Sequence, residues 1–536
     1  MLLNGLWKFS FNDGPETELP VPGCFDTTQE YRFLRGRGSY WICVHCGGQV
    51  ELRCGGIGLR ADFFWDGCKI GSEVTAYTPL VLRFDAGERQ MHELKIVCDN
   101  TLEETPESEF RYFYDFYGFG GIYREITLRE LPESYVDYVR ILPLDPESGR
   151  IAVHVENAGV PCPVQGSFDG GKTFDLPGAG DYELTVPKPQ LWSLAHPHLH
   201  KLTLRCGEDI REIRFGLRTV EARNGNLYLN GQELKLIGVN RHDVCPKSGA
   251  AVSSECLRRD LEMIKAAGMN CIRGAHYPQS ETMLKLADEL GLLVWEEILG
   301  WENPLESLMN QEFRQRQKSA LQRMIRAGVN HPSIILWGFL NEAATKDPEA
   351  RDCMRELVAL VRNEDPSRPT TFATMYGVDD RCLDLVDVIS FNSYPAWYGG
   401  NNRFFDPEIV RMELTRLIDY VQNHAELAEK PVLISEIGAE ALIGDHSGRR
   451  WSEDYQTALL LCALETVRNH PRCSGLLFWQ FCNTPVDDNS RIMMRPRGYN
   501  NKGLTDEFRR PKQAWKHLQK ILMGGDGTSV SGELQK

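Results

Sequence analysis

The sequence predicts a multidomain protein of β and α/β structure, in which two β-sandwiches precede a C-terminal (β/α)8 TIM barrel. Three observations support this fold class. Short strands separated by Gly, Pro and Asp turns fill residues 1–131, a second such series fills 132–218, and from residue 219 apolar strands alternate with amphipathic helices. The expected units are a jelly-roll-like β-sandwich (1–131), an immunoglobulin-like β-sandwich (132–218), the barrel (219–523) and a Gly/Ser-rich disordered tail (524–536).

The two sandwiches are predicted from short runs of strand-forming residues. In the first sandwich these include Ser39–Cys46, Val50–Cys54 and Thr78–Phe84. Asp66-Gly67 predicts a tight hairpin turn there, because this dipeptide readily adopts the positive φ angles of such a turn. In the second sandwich strands are expected near Tyr138–Leu142, Ile151–Val155, Asp181–Val186 and Leu199–Arg205.

The barrel strands are predicted from apolar runs that are each followed by polar residues and a segment of helical period. These runs are Leu234–Val239, Cys271–Arg273, Leu292–Trp295, Ile334–Phe339, Thr370–Ala373, Val388–Phe391, Val432–Ile434 and Leu476–Phe481. The helices expected between them include Ser254–Ala267, Ser280–Leu290, Glu312–Ala327 and Glu453–Arg468. Eight such strands are what a (β/α)8 barrel requires.

The composition is globular and excludes several functional classes. Of 536 residues, 42% are hydrophobic and 25% are charged, and Asp plus Glu (75) outnumber Lys plus Arg (60) to give a net charge of −15. Neither nucleic acid nor an anionic membrane is therefore an expected partner. No apolar run is long enough for a membrane span, and the start of the chain does not resemble a secretory signal.

The 16 cysteines show no metal-ligand spacing. Cys43 and Cys46 stand close together within a predicted strand, where a redox pair is an alternative to buried thiols. Reduced thiols in the cytoplasm are expected, without a metal or another cofactor.

Two glutamates close apolar strands of the predicted barrel. Asn341-Glu342 follows the fourth strand and Glu436 follows the seventh. A single strand-end glutamate is commonly a helix cap at the surface, but barrel enzymes react at the C-terminal ends of their strands. Two carboxyl groups across one mouth indicate glycoside hydrolysis, in which one protonates the leaving oxygen while the other acts on the sugar as nucleophile or base.

Further segments resemble glycoside hydrolase family 2, and the likeness extends to about residue 520. These segments are Gly238–Asp243, Arg273–Pro278 and the Asp66-Gly67 hairpin, in addition to Asn341-Glu342 and Glu436. The resemblance implies a retaining mechanism in which Glu342 is the acid/base and Glu436 is the nucleophile. It also implies that Asn341 binds the sugar 2-hydroxyl and that Tyr394 orients the nucleophile.

The segment after the eighth strand indicates the sugar. Asn500-x-Lys502 resembles the motif with which the β-glucuronidases of this family bind the C6 carboxylate, and Arg495 or Arg497 is expected to add a second cation. A uronate entering a site with two carboxyl groups needs such donors nearby. The resemblance therefore implies exo-hydrolysis of terminal β-D-glucuronides.

Other matches add expected binding residues. Tyr112–Tyr117 resembles the glucuronidase segment whose aspartate, here Asp115, reaches from the first domain to a sugar hydroxyl. Tyr398 and Trp479 are expected to face the sugar. His242 and His276 lie at strand ends, where they are either sugar contacts or core histidines.

Two rivals remain within the family. A β-galactosidase needs no cation at C6, and a β-galacturonidase differs only in how it contacts the 4-hydroxyl. A carbohydrate-binding protein without activity is disfavoured by the paired glutamates. The expected partners are a glucuronide, as a small conjugate or an oligosaccharide end, and further copies of the chain in a dimer or tetramer. A short connection over residues 296–310 predicts a more open mouth than in enteric-type glucuronidases.

Overall fold

In the computed structural model, residues 1–103, 105–109, 115–398, 403–487 and 495–524 are described. They form two β-sandwiches and a parallel β-barrel surrounded by helices, which confirms the predicted fold class. Residues 112–114, which belong to the segment matched at Asp115, and the predicted tail beyond Gly524 lie outside the described residues.

The first sandwich is built from eleven of the described strands. They are β1 (Gly5–Phe11), β2 (Thr17–Val21), β3 (Gly23–Cys24), β4 (Arg37–Cys46), β5 (Gln49–Cys54), β6 (Arg60–Trp65), β7 (Cys68–Glu73), β8 (Leu80–Asp85), β9 (Gln90–Asp99), β10 (Gly121–Ile122) and β11 (Ile126–Glu130). A sheet of order β2-β1-β4-β9-β6-β7 shares one apolar core with the sheet β11-β5-β8. Asp66 and Gly67 join β6 to β7 with φ angles of 47° and 79°, which confirms the predicted hairpin.

The second sandwich contains the next seven strands. They are β12 (Ser134–Asp145), β13 (Arg150–Gly159), β14 (Val164–Phe168), β15 (Thr173–Leu176), β16 (Gly180–Thr185), β17 (His200–Cys206) and β18 (Asp209–Phe215). The sheets β12-β13-β16 and β15-β14-β17-β18 enclose a core of mostly aliphatic side chains. All four strands predicted for this region are present.

A small antiparallel sheet precedes the barrel and corrects the predicted first barrel strand. It consists of β19 (Val220–Arg223), β20 (Asn226–Leu229) and β21 (Gln232–Leu234). The barrel begins at Leu236 instead of Leu234, because Leu227, Leu229 and Leu234 pack with Trp192 against apolar residues of the barrel strands. Burial of this apolar surface holds the 220–234 segment outside the barrel.

The barrel comprises eight parallel strands, of which the fifth is broken in two. They are β22 (Leu236–Arg241), β23 (Cys271–Gly274), β24 (Leu293–Glu297), β25 (Ile334–Gly338), β26 (Thr370–Thr371), β27 (Ala373–Thr374), β28 (Ile389–Asn392), β29 (Val432–Ile437) and β30 (Cys473–Phe478). The sheet runs from β26 to β27, so the two halves of the fifth strand, separated by Phe372, bring its ends together. Every residue of these nine segments is buried, as expected for strands covered on both faces.

Helices cover the barrel. They are α1 (Ser254–Ala266), α2 (Glu281–Leu290), α3 (Leu305–Met309), α4 (Gln311–Gly328), α5 (Arg351–Glu364), α6 (Pro407–Asn423), α7 (Glu453–Asn469) and α8 (Gln513–Leu522). The four helices predicted by position are confirmed to within two residues at each end. Side chains of Ser253, Ser280 and Ser452 accept hydrogen bonds from backbone N–H groups of the first turns of α1, α2 and α7, which fixes where these helices start.

Beyond β30, a short two-stranded ribbon returns toward the barrel mouth. It pairs β31 (Thr484–Pro485) with β32 (Tyr499–Asn500) in antiparallel register. A backbone hydrogen bond joins it to the first sandwich, since Tyr117 N–H donates to the Pro485 carbonyl at 2.9 Å. The ribbon thus places residues of the C-terminal loop between the sandwich and the catalytic end of the barrel.

Candidate active site

Both predicted catalytic glutamates lie buried at the C-terminal end of the barrel. Glu436 belongs to β29 and is 3% exposed, whereas Glu342 follows β25 and is 9% exposed. Asn392, at the end of β28, pairs with Glu436 in the sheet register and donates from Nδ2 to Oε1 of Glu342 at 2.8 Å. One amide side chain therefore connects the two strand ends that carry the carboxyl groups.

Glu436 accepts two short hydrogen bonds from groups that favour its anion. Arg273 Nη1 lies 2.6 Å from Oε1, and the Tyr394 hydroxyl lies 2.6 Å from Oε2. Burial, together with the charge of Glu436, raises the pKa of Tyr394, so the phenol keeps its proton and remains a donor. These bonds fix the orientation of the Glu436 carboxylate and stabilise its charge.

Arg273 links several of the polar groups at the mouth. It is fully buried in β23, stands over the Trp295 ring, and donates two hydrogen bonds of 2.9 Å to Glu297. It also donates to Asn341 Oδ1 at 2.8 Å and to Asn240 Oδ1 at 3.1 Å. The sequence analysis named Arg273 only as part of a segment that resembles family 2 and gave it no role. The sequence signal for such a role was an arginine at the end of a buried strand.

Glu342 is held in its protonated form by its surroundings. Burial, reinforced by the negative charge of Glu436, raises its pKa to about 8, and the Asn392 hydrogen bond offsets only part of this effect. A carboxyl group of this kind can give a proton to a leaving group near neutral pH. The two glutamates thus have different environments, as an acid and a nucleophile require.

Asn341 contacts both Arg273 and Asn392 through the oxygen of its side-chain amide. Its Oδ1 accepts from Arg273 at 2.8 Å and from Asn392 at 3.0 Å. Its buried Nδ2 has no hydrogen-bond partner among the residues that the structure describes. The flanking Leu340 and Glu342 adopt positive φ angles of 53° and 54°, a strained backbone typical of functional sites. The donor of Asn341 is therefore available to a substrate hydroxyl.

Trp479 packs against two histidines at the barrel mouth. Its ring stacks on His276 with 5.1 Å between centroids and meets His242 edge-on at 5.5 Å. Burial and the charge of Arg273 lower the pKa of His276 to about 3, and burial lowers the pKa of His242 well below its usual value. Both rings are therefore neutral. His242 Nε2 lacks a partner within the described part of the chain, so it can contact a sugar hydroxyl.

A second polar cluster lies beside this site, where the C-terminal loop meets the first sandwich. Arg495 donates to both carboxylate oxygens of Asp115 at 3.0 and 2.5 Å, and Asn500 Nδ2 donates to the same carboxylate at 2.9 Å. Lys502 Nζ donates to the Tyr398 hydroxyl at 2.7 Å. These five residues, all predicted from the sequence, are brought together from three separate segments.

Lys502 is the most buried of these cations. It is 1% exposed, and its Nζ lies 5.7 Å from the ring centre of Tyr394, which itself donates a hydrogen bond to Glu436. Burial lowers the pKa of Lys502 and the charge of Arg495 adds to this effect, whereas Tyr398 and Asp115 oppose it. A negatively charged ligand group at this point would give the ammonium a further charged partner.

Glu440 completes the cluster and was not predicted. It is fully buried four residues after Glu436, forms an ion pair with Arg495, and places a carboxylate oxygen 3.4 Å from Lys502 Nζ. A charged residue in an otherwise apolar segment was the only sequence signal. By contrast, Arg497 is half exposed and pairs with Glu507 at 2.7 Å, so the structure places Arg495 in the cluster and Arg497 outside it.

The sequence of this chain is similar to those of known proteins. The family model described as glycosyl hydrolases family 2, TIM barrel domain, matches residues 220–494. The chain belongs to glycoside hydrolase family 2. A β-glucuronidase of Streptococcus agalactiae serotype V is 26% identical over 584 residues, which cover 97% of this chain and 96% of that protein.

Solved structures extend the family resemblance to the whole chain. A family 2 β-galacturonidase from Eisenbergiella tayi bound to galacturonate has a TM-score of 0.89 and 32% identity, covering 97% of this chain and 96% of its own. A β-D-glucuronidase from Dictyoglomus thermophilum shares the fold with a TM-score of 0.85 at 24% identity, covering 97% and 96%. The family assignment makes the chain a glycoside hydrolase.

Within the described ranges, no three His, Cys, Asp or Glu side chains are grouped so as to hold a metal ion. Across the same residues, no helix combines the length and apolar character needed to cross a bilayer.

Proposed function

We propose that this family 2 enzyme is a retaining exo-hydrolase of terminal β-D-uronides, with β-D-glucuronides as its first substrate class. The observation that carries this proposal is the buried Lys502 ammonium beside the catalytic centre, with Asn500 and Arg495 close by. A neutral sugar would give this ammonium no charged partner in addition to Glu440, whose carboxylate oxygen lies 3.4 Å away. A C6 carboxylate would add a charge-assisted hydrogen bond to Lys502.

The first chemical step joins the sugar to Glu436. The carboxylate attacks the anomeric carbon while Glu342 gives its proton to the glycosidic oxygen, so that the carbon–oxygen bond to the aglycone breaks and the alcohol leaves. The Arg273 and Tyr394 hydrogen bonds hold Glu436 in position for this attack. Nδ2 of Asn341 binds the 2-hydroxyl as positive charge develops on the ring.

The second step releases the sugar. Glu342, now ionised, takes a proton from water, whose oxygen attacks the anomeric carbon and displaces the Glu436 carboxylate. Because each step inverts the anomeric centre, the product retains the β configuration. Glu342 recovers its proton and the cycle closes.

A β-D-galacturonide is the second candidate substrate. The observation that favours it is the 32% identity with the Eisenbergiella tayi β-galacturonidase, which exceeds the 26% shared with the curated glucuronidase from Streptococcus agalactiae. The two sugars carry the same carboxylate and differ in the orientation of the 4-hydroxyl. The Lys502 cluster would meet the carboxylate that both sugars share, so measurement of activity must separate them.

The deciding experiment compares release of p-nitrophenol from the β-D-glucuronide, β-D-galacturonide and β-D-galactoside. Wild type is assayed beside Lys502→Met, which removes the buried charge at similar volume, and Arg497→Met, a matched control outside the cluster. Loss of a charge-assisted contact of about 1.5–3 kcal/mol lowers kcat/KM for the preferred uronide roughly 10- to 100-fold. The control is expected to change kcat/KM less than about twofold.

Two outcomes of this experiment decide the proposal. A uronide preference that collapses in Lys502→Met alone supports the proposal, and the better uronide names the substrate. A galactoside preference that is indifferent to Lys502 contradicts it. The cytoplasmic location and the homo-oligomer stay predictions; light scattering of the purified chain tests the second.

A further inference from the structure

Arg35, in the loop between β3 and β4 of the first sandwich, contacts three separate segments of the chain. Its Nη2 lies 2.5 Å from Oδ2 of Asp487, which follows β31. Its Nη1 donates to the backbone carbonyls of Asn100 at 3.2 Å and Gly118 at 2.5 Å. The guanidinium carbon stands 4.2 Å from the ring centre of Tyr117. One side chain therefore joins the body of the sandwich, the segment that contains Tyr117 and the end of β31.

The ion pair between Arg35 and Asp487 lies mostly out of solvent. The Asp487 side chain is 4% exposed and that of Arg35 is 22% exposed. Removal of one partner from such a pair is destabilising, because it leaves the other charge buried without its counterion. The planar guanidinium can also bond several acceptors at once in a fixed geometry. The pair thus holds the end of β31 against the first sandwich.

The segment that carries Asp115 is joined to the ribbon of β31 and β32 beside Arg35. Tyr117, whose ring lies under the guanidinium, is two residues after Asp115. Its backbone N–H donates to the Pro485 carbonyl at 2.9 Å. Asp487, the ion-pair partner of Arg35, follows Pro485 by two residues. Arg35 thus contacts the two segments on either side of the backbone hydrogen bond that joins them.

Hydrogen bonds within the ribbon connect β31 to the cluster at Lys502. Val486 N–H donates to the Gly498 carbonyl at 3.0 Å. Thr484 pairs with Asn500 across the two strands. Asn500 Oδ1 in turn accepts a 3.2 Å hydrogen bond from the backbone N–H of Lys502. A displacement of β31 would therefore move both Asn500 and Lys502 relative to the rest of the mouth.

We propose that Arg35 is a positioning residue for recognition of the sugar carboxylate. It acts through the ribbon, by holding β31 and the segment after Asp115 at the separation at which the Lys502 cluster meets a C6 carboxylate. The inference rests on the proposed function, because a neutral sugar has no carboxylate for this cluster to meet. The hydrogen bonds of Arg35 go to Asp487, Asn100 and Gly118, so its loss should weaken substrate binding and leave the bond-breaking step unaltered.

The first sandwich also contains a matched control arginine. Arg129, in β11, has a side chain that is 27% exposed and pairs at 3.0 Å with Asp209, whose side chain is 8% exposed. Its guanidinium carbon lies 5.5 Å from the ring centre of Tyr135. This pair joins the first sandwich to the second instead of to the ribbon. Arg129→Met therefore removes a similar link between domains at a place remote in the fold from the Lys502 cluster.

The test measures kcat and KM of the full-length enzyme for the preferred p-nitrophenyl β-D-uronide. Arg35→Met is expected to raise KM about 10-fold and to change kcat less than about threefold, the result of lost binding and not of lost chemistry. Arg35→Lys keeps the charge and should recover part of the loss in KM. Asp487→Asn removes the ion pair at constant size and should raise KM by a smaller factor. Arg129→Met is expected to change both constants less than about twofold.

A double-mutant cycle separates positioning from a general loss of structure. Because Arg35 acts through the cluster that contains Lys502, Arg35→Met should change kcat/KM less than about twofold in the Lys502→Met background. A full further loss in that background would overturn the proposal. An unchanged KM in Arg35→Met, or a fall in kcat alone, would also overturn it. Should Arg35→Met not fold, the same criteria apply to Asp487→Asn.

Lys502→Met alone tests the proposed function separately from this inference. If Lys502→Met leaves hydrolysis of the uronide unchanged, the proposed function fails and the role of Arg35 fails with it. If hydrolysis depends on Lys502 but KM is indifferent to both Arg35→Met and Asp487→Asn, only the role of Arg35 fails.

Discussion

The Tyr394 hydroxyl donates to Oε2 of Glu436 across 2.6 Å, and this bond holds the carboxylate that is the nucleophile in the proposed mechanism. Tyr394→Phe removes the donor and keeps the ring. A hydrogen bond to a charged group contributes about 1.5–3 kcal/mol, so we expect kcat to fall about 10- to 100-fold with little change in KM. Steady-state kinetics on a uronide checks this; an unchanged kcat would mean that Arg273 alone orients Glu436.

Arg273 is predicted to support both stability and catalysis. Arg273→Met leaves the buried Glu297 and Glu436 without their shared cation, which costs about 3–5 kcal/mol of unfolding free energy. Arg273→Lys keeps the positive charge but lacks the planar guanidinium group. Relative to Arg273→Met, it should therefore recover stability more than activity. Denaturant unfolding measured beside kcat separates the two effects. Equal loss of activity in both variants, with wild-type stability in both, would contradict this role.

The raised pKa of Glu342 predicts an alkaline limit to activity. The acid must be protonated, so kcat/KM should fall as pH rises through about 8 and decrease about tenfold per unit beyond it. Glu342→Gln should lower kcat by about 10²–10⁴ for a poor leaving group and much less for one that departs without protonation. The pH–rate profile of wild type is the direct measurement.

The raised pKa of Glu342 also predicts how the stability of the protein depends on pH. The folded-state pKa lies above the usual 4.5, so the protein loses stability as pH rises from 4.5 through about 8. Glu342→Gln removes this loss. The Tm of the variant relative to wild type should therefore increase between pH 4.5 and pH 8.5, as scanning calorimetry can show. A constant difference would mean that Glu342 ionises normally in the folded chain.

Asp115 is predicted to support substrate binding from outside the barrel. Asp115→Asn weakens the paired hydrogen bonds with Arg495 and the bond from Asn500, so the cation loses its fixed position. We expect a roughly 10- to 100-fold loss in kcat/KM, expressed mostly in KM, with little change in Tm. Asp62→Asn is a matched control, because Asp62 forms a half-exposed pair with Lys69 in the sandwich.

The connection between β24 and α4 predicts a tolerance for larger aglycones. Residues 298–310 contain only the five-residue α3, as a short connection requires. A glucuronate-tipped oligosaccharide should therefore be hydrolysed at a rate comparable to a small aryl glucuronide. A preference for the aryl substrate by orders of magnitude would contradict this expectation.

Periodicity and strand-end position were enough to predict that Glu342 and Glu436 lie at one mouth of the barrel. Glu342, Glu436 and Tyr394 each follow or end an apolar run, and parallel strands deliver such residues to one mouth. Arg273 and Glu440 were missed because their roles depend on contacts across the barrel, which a single strand does not reveal. Arg273, for example, contacts Glu436 at a separation of 163 residues.

Loop geometry limited the rest of the prediction. The sequence could not choose between Arg495 and Arg497, since a turn with Arg497 at a φ of 63° directs the two side chains to different partners. The first barrel strand was placed two residues early for a similar reason. Leu234 looks like a strand residue in either position, and only packing beneath the barrel assigns it to β21.

The residues around the barrel mouth come from separate segments of the chain, and this has a consequence for evolution. In the proposed mechanism, bond cleavage depends on residues at the ends of β23, β25, β28 and β29, which the barrel hydrogen bonds hold in register. The cations that would choose the sugar stand on the ribbon segment after β30, and Asp115 on a loop of another domain. Drift in these two peripheral segments can therefore redirect the enzyme to a new sugar while the hydrolytic chemistry is inherited intact.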